Sequence, residues 1–79
     1  MNRDEILKKL TSVFRDIFDD ESISLSELTS VADIDDWDSL SHVMLISEIE
    51  GVFVCKFSTS DLSEMKNVGE MIDRIIEKI

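Results

Sequence analysis

The chain has 79 residues, with 18 acidic and 8 basic side chains and a formal charge of −10 at neutral pH. That length provides for one small hydrophobic core and leaves little room for an enclosed active site, and the charge repels nucleic acid and anionic membrane surfaces, so a basic protein surface is the natural partner. A single cysteine excludes an internal disulfide, and no stretch has the form of a signal peptide or the length of a membrane span, so a cytoplasmic monomer with one domain, residues 1–79, is expected.

Ile6, Leu7, Leu10, Val13, Phe14, Ile17 and Phe18 recur at the offsets of one helical face, and Asn2 with Glu5 has the spacing of a capping box. The spacing predicts a first helix from about Arg3 to Phe18. From Asp19 to Trp37 the periodicity fails, while Ile23, Leu25, Leu28, Val31 and Ile34 supply apolar side chains that can lie against a core. This reads as a long ordered loop with at most a short turn, and a connection of that length in a small domain usually has a function. Its aspartates Asp33, Asp35, Asp36 and Asp38 fail the calcium-loop template: counted from Asp33, position six is Asp38 where glycine is needed, and position twelve is Met44 where a bidentate glutamate is needed. They read as a solvated acidic loop, with weak divalent binding as the alternative, and no metal site is assigned.

Asp38 is an N-cap candidate for a second helix carrying Leu40, Val43, Met44, Leu45, Ile46, Ile49, Val52 and Phe53. Ser39 then falls on the first helical position, where a hydroxyl is exposed and a phosphate joined to it would lie near unpaired backbone N–H groups and the positive end of the helix dipole. On a helical wheel Leu45, Ile46, Ile49, Val52 and Phe53 share one face, whereas Leu40 and Met44 point nearly opposite and Val43 lies to one side. Either the helix is central and buried all round, or Leu40, Val43 and Met44 form a docking surface, flanked by Glu48 and Glu50, which would steer a basic partner.

Val52 to Phe57 is apolar enough for a strand, but an isolated strand would leave its backbone unpaired, so a helix end and an extended connector are expected, with Cys55 as a half-buried structural thiol. Ser58 to Asp61 offers N-caps for a short helix through Met65. Asn67 and Glu70 repeat the capping-box spacing, and Val68, Met71, Ile72, Ile75, Ile76 and Ile79 form the stripe of a last helix. The expected fold is all-α, an antiparallel four-helix bundle of three long helices and one short helix with a long first loop.

Asp38-Ser39-Leu40, followed by the helix from Ser41 to Phe53 and preceded and followed by helices in this order, resembles the acyl carrier proteins and related thiolation domains. The resemblance implies that Ser39 carries 4′-phosphopantetheine, transferred from coenzyme A by a phosphopantetheinyl transferase, with Asp38 as the motif's helix cap. It further implies that the arm's thiol holds acyl groups as thioesters and presents them to acyl-loading and acyl-transfer enzymes with basic docking surfaces, the protein itself being no enzyme. In fatty-acid-synthesis carriers the helix is typically acidic two and five residues after the serine; here those places hold Ser41 and Met44, with Glu50 retained and Gly51 following it. That departure, with Trp37 before the motif, implies a specialised biosynthetic pathway. Aminoacyl or peptidyl cargo, and an unmodified acidic helical interaction module, are the alternatives. A hydrolase built on Ser39 and His42, the only histidine, lacks a pocket and an oxyanion site; His42 is expected to be partly buried near Trp37.

Overall fold

In a computed structural model the chain forms four α-helices: α1, Arg3–Phe18; α2, Ser39–Phe53; α3, Thr59–Glu64; and α4, Val68–Lys78. The structure describes residues 1–79, the side chain of Val31 excepted, so the place of that residue in the loop's apolar set lies outside what is described. A single 3-10 turn, Val31–Asp33, interrupts the long first loop. The four-helix architecture is the one expected; α1 and α2 have the expected limits, and α3 and α4 each end one residue earlier than expected, at Glu64 and Lys78.

Each helix begins where a short polar side chain can take up an orphan N–H. Asn2 accepts from the Glu5 amide at 2.9 Å and Glu5 accepts from the Asn2 amide at 3.2 Å, closing the capping box of α1. Asn67 accepts from the Glu70 amide at 2.8 Å, but Glu70 does not return the bond, so α4 has half of the expected box.

The core joins Ile6, Leu10, Val13 and Phe14 of α1 to Leu45, Ile46, Ile49 and Phe53 of α2 and to Val68, Met71, Ile72 and Ile75 of α4, with Trp37 and Met65 at its edge. Ile23, Leu25 and Ile34 of the first loop pack against it, whereas Leu28 is exposed, so the loop uses fewer apolar anchors than its composition suggested. Ile76 and Ile79, expected within the α4 stripe, are 39% and 53% exposed and line an open cleft with Met1, Val52 and Phe53.

Polar contacts fix the loop as much as apolar ones do. The amides of Val68 and Gly69 donate to the carbonyls of Thr29 (2.9 Å) and Glu27 (2.8 Å), and Arg3 joins Glu27 to Asp73, so the loop is tied to both α1 and α4. A β-carbon on Gly69 would lie 2.9 Å from the Glu27 carbonyl oxygen, which explains a glycine in the first turn of a helix. Asp61 of α3 is 7% exposed, accepts from the Ser58 amide and from Lys78 of α4 at 2.7 Å, and is thereby held down to a pKa of about 2, Lys78 being the largest cause.

Candidate functional site

Ser39 stands at the first position of α2 with its side chain exposed. Asp38, in extended conformation, accepts from the Ser41 amide at 2.9 Å; the Ser41 hydroxyl in turn accepts from the Asp38 amide at 2.8 Å and donates to the Asp36 carbonyl at 2.9 Å. The box closes with a serine in the place usually taken by glutamate. Against the family pattern Ser41 registers only as a missing acid; the signal that identifies its part is the Asp-x-x-Ser spacing. The bond from the Ser41 amide, followed by that from its hydroxyl, lowers the pKa of Asp38, which therefore stays ionised while it caps the helix. The His42 amide is bonded to the Asp38 carbonyl at 2.9 Å, and Ser39 stands at the positive end of α2.

Trp37 anchors this turn. It is 3% exposed, meets Phe14 edge-on at 5.1 Å between centroids, and donates from Nε1 to His42 Nδ1 at 3.0 Å. His42 is partly buried beside Trp37, as expected, and that burial lowers its pKa. No hydrogen bond joins His42 to Ser39 among the described residues, and with Nδ1 accepting from Trp37 the pair is not arranged as nucleophile and base. An open groove of about 750 Å3 runs beside the serine, lined by Ser30, Ala32, Trp37, Asp38, Ser39, His42, Met65 and Lys66. Its walls come from the first loop, α2 and the α3–α4 connection, a juxtaposition that no local pattern reveals.

The outer face of α2 is apolar and open. Leu40, Val43 and Met44 are 72%, 66% and 49% exposed, which excludes a helix buried all round; Val52, assigned to the inner face, is 39% exposed near the helix end. Glu48 is exposed beside them, whereas the Glu50 carboxylate accepts from the Phe57 amide at 2.9 Å and so braces the connector after the helix. Cys55 is half-buried, and burial, followed by Glu50, raises its pKa. In the acidic loop Asp33 accepts from the Ser30 amide at 2.9 Å, and among the described residues no group of three or more His, Cys, Asp or Glu is placed to hold a metal ion.

No protein-family model and no curated protein matches the chain. It is similar, at 47% identity over 91% of its length and 83% of the other chain, to a holo acyl carrier protein from Geobacter metallireducens solved by NMR, with a TM-score of 0.86. The chain belongs to the acyl carrier protein family. As an acyl carrier protein it is a carrier and not an enzyme, and none of its helices is long and apolar enough to cross a membrane among the described residues.

Proposed function

We propose that this acyl carrier protein bears 4′-phosphopantetheine on Ser39 and serves a specialised biosynthetic pathway in the cytoplasm, acting as a monomer that visits partner enzymes in turn. The observation that carries the proposal is the exposed Ser39 hydroxyl at the first position of a capped helix. A phosphodiester fits there, because the helix dipole favours an anion at the first turn of α2. When bound, the arm supplies a flexible thiol that carries an acyl group as a thioester.

The chain's own residues do the presenting. Asp38 and Ser41 fix where the helix starts, and Trp37 ties that turn to Phe14 in the core, so the serine sits on a rigid platform. Leu40, Val43 and Met44 offer an apolar surface beside it, and the exposed Glu48 supplies negative charge for a basic partner; such charge speeds encounter more than it tightens binding. A phosphopantetheinyl transferase and the acyl-loading and acyl-transfer enzymes would use this same face.

Specialisation is supported by Met44 and Ser41, which replace carboxylates in the helix with an exposed apolar side chain and a capping hydroxyl. An apolar contact at Met44 suits a partner other than one selecting a string of acids. Intact mass after incubation with coenzyme A, magnesium and a broad-specificity transferase tests the attachment: the wild type should gain one phosphopantetheine and Ser39→Ala none. A folded wild type left unmodified by several transferases would favour an unmodified interaction module.

A further inference from the structure

Trp37 and His42 occupy the two positions that frame a helix start: Trp37 precedes the N-cap Asp38, and His42 is the fourth residue of α2. Residues so placed often meet through apolar contact alone, and that contact sets the angle at which the chain enters the helix. Here the rings stack at 5.9 Å and 22°, and a hydrogen bond is added, from Trp37 Nε1 to His42 Nδ1 at 3.0 Å. Ser39 lies inside the loop that this pair closes. The indole is 3% exposed and its N–H can only donate, so without an acceptor on His42 a buried donor would be left unpaired.

That acceptor exists in one protonation state only. A neutral imidazole accepting at Nδ1 carries its proton on Nε2, whereas the imidazolium carries one on each nitrogen and would set N–H against N–H. Partial burial holds the His42 pKa below the ordinary value, so the accepting form is the one present at neutral pH. The charged groups that share its surroundings are Asp38 and Lys66 on the groove side and Glu50 on the side of the α2–α3 cleft; the first loop and α3 contribute only Ser30, Ala32 and Leu62. Asp38 is engaged by the Ser41 amide and Glu50 by the Phe57 amide, and neither bonds to His42. We infer that His42 is a positioning residue for Ser39: its neutral Nδ1 holds Trp37, Trp37 holds the turn before α2, and loss of the acceptor lets the helix start fray and carry the serine out of register with a docked transferase. The inference rests on the reading that Ser39 takes the arm. His42 makes no hydrogen bond to Ser39, so its effect runs through Trp37. Protonating the ring removes the acceptor as surely as replacing it, which makes presentation of Ser39 sensitive to mild acid.

The test compares wild type, His42→Phe and His42→Gln as substrates of one phosphopantetheinyl transferase with coenzyme A and magnesium, melting temperatures being taken on the same samples. Phenylalanine keeps a stacked ring and removes the acceptor; glutamine gives up the ring and offers an amide oxygen that stays an acceptor at every pH in the range. At pH 7.5 His42→Phe should load several-fold more slowly in kcat/KM, and His42→Gln should recover most of that loss. As pH falls, the wild-type rate relative to His42→Gln should drop in step with the fraction of His42 left neutral, the transferase's own pH dependence cancelling in the ratio. Trp37 and His42 are the only tryptophan and histidine, so nitrogen-15 spectra of the unloaded protein read the bond directly. His42 should carry its proton on Nε2 at pH 7.5, and the Trp37 indole signal and the amides of Ser39 to Ser41 should move with the His42 midpoint. Loading of His42→Phe at the wild-type rate, equal losses in both variants that track melting temperature, a proton on Nδ1 at pH 7.5, or an indole signal unmoved through the His42 transition would each overturn the inference and leave the Ser39 reading intact. A folded wild type that no transferase loads would overturn both.

Discussion

α2 and α4 are both rich in aliphatic side chains, yet they place them differently. α4 turns Val68, Met71, Ile72 and Ile75 into the core and leaves Asp73, Arg74 and Glu77 to form ion pairs or face solvent. α2 buries Leu45, Ile46, Ile49 and Phe53 and leaves Leu40, Val43 and Met44 on the outside. Packing accounts for all of the apolar surface of α4 except its end, and for only half of α2. Of the rest, Leu40, Val43 and Met44 lie on the outer face towards Ser39, and under the proposed function that contrast separates what the chain needs in order to fold from what it needs in order to be recognised.

Substitutions on the two faces of α2 should separate most widely. Leu45→Ala removes a fully buried side chain and should lower stability by about 2–5 kcal/mol, read by denaturant unfolding; Val43→Ala should stay within about 0.5 kcal/mol of wild type. Equal losses at the two positions would mean that the outer face is structural after all.

Gly69→Ala tests how α4 holds the first loop. Its β-carbon would press on the Glu27 carbonyl oxygen, and the strain should cost about 1–3 kcal/mol, against a helix-propensity gain of about 0.5–1 kcal/mol. A stabilised variant would show that the loop yields freely and does not brace the wall of the groove.

His42 gives the Ser39 end of α2 a pH dependence in the imidazole range. Its folded pKa lies below the ordinary imidazole value of about 6.5 because of burial. Between those two values the unfolded chain binds the proton more readily, so the stability contributed by neutral His42 is complete above about 6.5 and is lost as pH falls through the folded value. The groups that share its cavities are Asp38, Lys66 and Glu50. Melting temperature from pH 7.5 to 5 should fall less in His42→Phe than in wild type; parallel curves would contradict this.

The smallest effect concerns the far end of α2. Val54 is 88% exposed and sits in the left-handed region at φ 52°, a conformation that strains a β-branched residue. Val54→Gly should raise stability by about 0.5–1 kcal/mol, the relief of strain exceeding the entropy glycine adds to the unfolded chain. A loss on that substitution would reveal packing at Val54 that its exposure does not suggest.

Local signals made the helices and the serine legible from sequence. Asn2 with Glu5 and Asp38 before Ser39 are decided by residues within one turn, and the outer face of α2 follows from the helical wheel. What escaped is non-local or depends on chain reversal. Glu50 read as a rim charge because its bond to the Phe57 amide requires the connector to fold back on α2. Arg3 meets Glu27 and Asp73 across the whole bundle, and the groove beside Ser39 exists only once Ala32 and Lys66 are brought together. Leu28 and Ile79 look like core residues by type and are exposed.

The most direct measurement is the rate at which a phosphopantetheinyl transferase modifies Leu40→Ser/Met44→Ser relative to wild type, with melting temperature recorded on the same samples. The expected result is at least a tenfold loss in kcat/KM, about 1.4 kcal/mol of recognition, with the melting temperature unchanged. An unchanged rate together with a lowered melting temperature would contradict the account, because the outer face of α2 would then serve the fold and not the partner.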